Sequence, residues 1–114
     1  MNSYDIVESV TDEATKQFLG MRESQARKDF LRDVCKDIDT LIERTEASSL
    51  SVNIDENTMD VDLCVSCLEI VVEERNHPLH QVLVNAKSFA VQKSQDAEDE
   101  VELRFRFPGI WVAE

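Results

Sequence analysis

Four residues carry the donor atoms of a possible metal site. Cys64 and Cys67 stand three apart, and so do His77 and His80. Two thiolates and two imidazoles match tetrahedral zinc in ligand type. The spacing is a poor match, because nine residues lie between the pairs, where a finger has about twelve or more. Both cysteines also fall in a run that reads as strand, where an offset of three sends side chains to opposite faces. A zinc knuckle needs a turn there, and Val65-Ser66 supplies no glycine. The plainer reading makes the cysteines small core hydrophobes and puts the histidines at the start of a short helix. A redox Cys-x-x-Cys fits less well still. That chemistry wants its first cysteine at a helix N-terminus, whereas Asp60, Asp62 and Leu63 precede this one, and nearby carboxylates raise a thiol's pKa.

Other chemistry is thinly supported. Glu69, Glu73 and Glu74 sit near the end of a strand-like run, and Glu98, Asp99, Glu100 and Glu102 flank a turn. Solvated edges and turns account for both groups, and edge charges discourage sheet-to-sheet pairing. Asp96, Glu98 and Asp99 would be a divalent-cation loop only with the glycine and ligand spacing that the segment lacks. Gly20 and Gly109 are the two glycines, so there is no glycine-rich phosphate loop. No serine or cysteine has a nucleophile's local signature. The expectation is a protein without a cofactor and without catalysis.

The C-terminal string Phe105-Arg106-Phe107-Pro108-Gly109-Ile110-Trp111 holds the only tryptophan. Arg104 and Arg106 are the strongest basic pair in a very acidic half. Arg104, Arg106 and Trp111 form a candidate partner-docking patch, because Trp and Arg dominate interface hot spots. The competing reading, which we favour, has Trp111 plugging the end of a small core.

The elements that must position these residues fall into two halves. Residues 1–48 read as two amphipathic helices. Val7, Val10, Ala14, Phe18 and Met21 form a stripe on the first, with Gly20 as its C-terminal cap. Phe30, Leu31, Val34, Cys35, Ile38, Leu41 and Ile42 recur at helical spacing on the second, with Ser24 as its N-cap. Residues 49–114 change period. Leu50 to Ile54 alternates as a half-buried strand does. Asp55 to Thr58 is turn-like, and Asp60 to Glu73 reads as one long central strand, apolar on both faces. Asn76 as N-cap and an early Pro78 predict a short helix at 77–86. Strands follow at Ser88–Lys93 and Val101–Phe107, around an acidic turn, and Ile110 to Val112 is expected to fold back on the core. The predicted fold is a single α+β domain over 1–114. Two N-terminal helices precede a mostly antiparallel four-stranded sheet of order ββ-α-ββ, with the helices packed on a sheet face.

Composition bounds the function. The chain has 114 residues, enough for one core. Its 24 acids against 12 bases give a net charge of -12, which repels nucleic-acid phosphates and anionic lipid. Direct nucleic-acid and membrane binding are therefore not expected. The N-terminal ten residues lack the basic region of a signal peptide, and three cysteines do not make a disulfide framework. These features predict a cytoplasmic protein with reduced thiols. The leading expectation is a small acidic interaction module with a protein partner, basic in charge, or a homo-oligomer built through an edge strand. A nucleic-acid mimic, and a small metal protein using Cys64, Cys67, His77 and His80, are the alternatives.

Overall fold

The structure is a computed structural model that describes residues 2–73, 77–95 and 97–114, with Val71, Glu73, His77 and Pro78 described by backbone alone. Asn2 opens helix α1 (Ser3–Thr15) with a capping box: its side chain accepts from the Asp5 N–H at 3.0 Å, and the Asp5 carboxylate accepts from the Asn2 N–H at 3.3 Å. Helix α1 ends at Thr15, short of the expected cap at Gly20. Gly20, at φ 76°, instead turns the chain into a three-residue strand, β1 (Met21–Glu23). Phe18 and Met21 therefore leave the helical stripe but still pack on the core.

Ser24 caps the long helix α2 (Gln25–Thr45), accepting from the Arg27 N–H at 3.4 Å. Leu31, Val34, Cys35, Ile38 and Leu41 form its buried stripe, at the spacing the sequence displays. Glu46 closes it in the left-handed region at φ 50°.

The second half builds β2 (Ser49–Ile54), β3 (Val61–Leu68), helices α3 (Glu69–Glu73) and α4 (His77–Asn85), then β4 (Ser88–Lys93) and β5 (Glu100–Phe107). The four strands form one antiparallel sheet in the order β2-β3-β5-β4. A last strand, β6 (Trp111–Ala113), pairs with β1 in a separate two-stranded sheet. The α+β class and the four-stranded sheet match the expectation; the second sheet does not appear in it. The return of Ile110 to Val112 onto the core happens through β6. Asn76, the expected N-cap of α4, lies outside the described residues.

Two readings of the 60–73 run need correction. The strand stops at Leu68, because its neighbour β5 begins at Glu100, the residue paired with Leu68, and offers no ladder beyond. The chain then coils into α3. The strand is also not covered on both faces. Val61, Leu63, Val65 and Cys67 are buried, while Asp62, Cys64, Ser66 and Leu68 are only partly so. Helices α1, α2 and α4 share one side of the sheet, with α2 packed between the other two. Their side chains meet Val61, Leu63, Val65, Val101, Leu103, Phe105 and Phe107 in one core. The opposite face is open. Among the described residues, no helix is long and apolar enough to cross a membrane.

Trp111 locks the ends of the chain together. Its ring is 2 % exposed and meets the Phe18 ring edge-on at 4.9 Å. Its Nε1 donates to Thr15 Oγ1 at 2.7 Å, and Arg27 donates to its carbonyl at 2.6 Å. Gly109 allows this return: a Cβ there would overlap the Met59 carbonyl oxygen.

Candidate functional site

The open face of the sheet is a grid set by the strand register. Ser51, Cys64, Arg104 and Ala90 form one row across β2, β3, β5 and β4. Asn53, Asp62, Arg106 and Ser88 form the next row, and Ser49, Ser66, Glu102 and Gln92 the row on the other side. Because strand side chains alternate, these positions project away from the helices. Serine, cysteine and alanine floor much of this grid, and the longer side chains stand around them. The result is a shallow hollow of about 470 Å³.

One end of the hollow is closed by ion pairs. Arg106 holds Asp62 with two hydrogen bonds and Asp55 with a third, at 2.8, 3.1 and 3.1 Å. The Asp60 carboxylate, on a residue only 4 % exposed, lies 3.0 Å from Lys87 Nζ and 4.0 Å from Arg106. A carboxylate this buried is costly to leave without such partners. Asp55 also accepts from the N–H groups of Asn57 at 2.8 Å and Thr58 at 3.1 Å, which shapes the β2–β3 turn. The Thr58 and Asn57 N–H groups hold the Asp55 carboxyl below its ordinary range, and Arg106 adds to this. These carboxylates are therefore already paired.

Arg104 behaves differently. Its guanidinium donates to Glu102 at 2.9 Å on the same strand, and its side chain stays 57 % exposed. It rises from the middle of the face beside Cys64. Burial raises the Cys64 thiol pKa, Glu102 raises it further, and Arg104 pulls the other way without prevailing. Cys64 is thus a partly accessible thiol rather than a thiolate nucleophile.

The structure brings together four of the residues singled out from the sequence, Cys64, Glu102, Arg104 and Arg106. It separates the others. Cys67 is buried on the helix side, with its thiol pKa raised by burial. Trp111 is in the core, away from the arginines' face. His80 is exposed on α4, which packs against α2 on the far side of the sheet. The side chain of His77 lies outside the described residues, as do Glu74 and Asp96. Among the described residues, no three His, Cys, Asp or Glu side chains cluster closely enough to hold a metal ion. Comparison of the chain with known families, curated proteins and solved structures gives no match.

Sequence reasoning missed Asp55, Asp60 and Lys87 as members of one network, and Ser51 and Ala90 as a floor. The signal for the network was present. Asp62 and Arg106 are charged residues inside strands, a place where an unpaired charge is costly. Naming the partners needed the register, which pairs Asp62 with Arg106 across β3 and β5.

Proposed function

We propose that this chain is a non-catalytic protein-interaction module that docks a protein partner on the open face of its sheet, while the acidic helical side of the chain draws partners that are basic in net charge. One observation carries the reading: the central row of that face is floored by Ser51, Cys64 and Ala90, with the exposed guanidinium of Arg104 rising among them. A half-wet antiparallel sheet normally covers its outer face with long polar side chains. Small residues leave a hollow that an apposed surface can fill, and arginine is enriched in interface cores. The carboxylates around the hollow are held by Arg106, Lys87 and Arg104, so no acid–base pair is free to act on a substrate.

The acidic remainder steers. Exposed acids lie on α1 at Asp5, Glu8, Asp12 and Glu13, and on α2 at Asp29 and Asp33. A net charge of -12 draws cationic partners and raises their rate of encounter. A nucleic-acid mimic has less support. On α2, Asp29 pairs with Arg32 at 3.3 Å and Asp33 with Lys36 at 3.5 Å, which breaks up any phosphate-like stripe.

The test is affinity capture from lysate of the protein's own source, using the wild type and Ala90→Trp, which fills the hollow. A partner held by the wild type, lost by the variant and released by salt supports the reading. Equal capture by both proteins, or binding unchanged by salt, contradicts it.

A further inference from the structure

We infer that the groove between helix α1 and strand β2 is a second docking site, which takes a short segment of a protein partner whose apolar side chains are flanked by Lys or Arg. The groove is a hollow of about 400 Å³, floored by Val10 and Ala14 of α1, Phe18 just beyond it, and Ile54 at the end of β2. Val10 and Ala14 stand four apart, so they share one face of the helix, and α1 packs against β2. Ala14, Phe18 and Ile54 also touch the core, whereas Val10 is half-buried outside the core cluster. Leu19, next to Phe18 in the chain, leaves 93 % of its surface exposed. The fold therefore leaves apolar side chains uncovered in and beside this groove.

Charge selects the occupant. Glu13 on α1 and Glu56 in the β2–β3 turn line the groove, and no Lys or Arg does. The hollow on the open face differs, being lined by Arg104 and Arg106. Among the described residues, Glu56 has no ion-pair partner. Glu13 meets Lys16 at 3.5 Å, with the two side chains 72 % and 73 % exposed. So exposed a pair contributes little, and another cation readily takes the place of Lys16. Asp55 and Asp60 of the same turn are already held by Arg106 and Lys87, and they add nothing to the attraction. A second copy fits badly, because a net charge of -12 opposes its approach to an acidic groove. An apolar ligand without charge would desolvate the two carboxylates and give them no partner. A segment that seats apolar side chains on the floor and cations against both walls satisfies the whole groove.

The site does not depend on occupancy of the open face. Asn53 lines both hollows, so the two adjoin at β2, and the experiment separates them. The probe is the synthetic hexapeptide Lys-Arg-Phe-Leu-Arg-Lys, compared with Lys-Arg-Ser-Ser-Arg-Lys, which has the same charge. Binding is read by amide NMR shifts on the full chain. The expected result is shifts concentrated on Val10, Ala14, Phe18 and Ile54, with the Ser peptide weaker by about tenfold or more. Glu56→Gln, in an exposed turn that leaves the fold intact, should weaken binding several-fold at low salt and less at high salt. Val10→Lys should abolish it, and Ala90→Trp, which fills the other hollow, should leave it unchanged. No binding overturns the inference. So does equal binding of the two peptides, which would make the attraction one of net charge alone, and so do shifts centred on Cys64 and Ala90 that Ala90→Trp removes. Self-association of the free protein that Val10→Lys abolishes would also overturn it, by making a second copy the occupant.

Discussion

Arg106 and Asp62 face each other across β5 and β3 and share two hydrogen bonds, from Nε at 2.8 Å and from an outer guanidinium nitrogen at 3.1 Å. The same guanidinium reaches Asp55 in the turn and approaches buried Asp60, so one side chain ties two strands and a loop together. Arg106→Leu should lower the urea midpoint, since it leaves partly buried carboxylates without their partner. Arg106→Lys should recover only part of this, because an ammonium cannot make the forked contact. Urea unfolding of the three proteins checks both statements.

Trp111 Nε1 donates to Thr15 Oγ1 at 2.7 Å. Thr15→Val leaves that buried donor unpaired and should cost about 1–2 kcal/mol. The chain has one tryptophan, so its fluorescence in a denaturant titration reports this contact directly. An unchanged midpoint would count against the bolt between α1 and β6.

Two backbone positions predict opposite signs. Gly109→Ala forces a methyl group into the Met59 carbonyl and should destabilise by roughly 2 kcal/mol or more. Glu46, exposed and left-handed at φ 50°, should gain about 0.5–1 kcal/mol when changed to glycine. Thermal melts of the two variants should move in opposite directions from the wild type.

Acid should unfold the protein partly through Glu23. Burial raises its pKa, but hydrogen bonds from Thr15 and Lys28 outweigh burial and hold it below the ordinary 4.5. A depressed carboxylate adds stability that is full above its unfolded value and is lost as pH falls through the folded one. Asp12 has the opposite sign: slight desolvation, then the charge of Glu23, raise it above 3.8, so its ionisation opposes folding at neutral pH. Glu23→Gln should therefore be less stable at pH 7 with a flatter acid limb, and Asp12→Asn should be more stable at pH 7. Stability measured from pH 3 to 7 decides.

Local patterns made much of the fold readable before any coordinates. The α2 stripe, the Ser24 cap, the Ser88–Lys93 strand and the alternation of Val101 to Phe107 all follow from spacing and side-chain type. The failures share a cause in long-range pairing. The Cys67-to-Glu73 stretch is apolar enough for a strand, and only the start of β5 at Glu100 tells the chain where to stop. Gly20 reads equally well as a helix cap or as a turn into β1, and the choice depends on β6, about ninety residues away. The candidate site was legible as a set of types, Cys64, Arg104 and Arg106. Its floor was not, because Ser51 and Ala90 join Cys64 in one surface only through register.

The most direct test of the docking face uses Cys64 as its sensor. Cys35 and Cys67 are buried, and burial pushes the Cys35 thiol up to about 11. Cys64 alone is partly accessible, on the floor of the open face. The protein is pulsed with a maleimide in buffer, in lysate of its own source and in unrelated lysate, and modification at Cys64 is read by mass spectrometry. Occupancy of the face predicts slower labelling in the source lysate only, with the buffer rate restored by high salt. Equal labelling in all three would contradict a partner on this face.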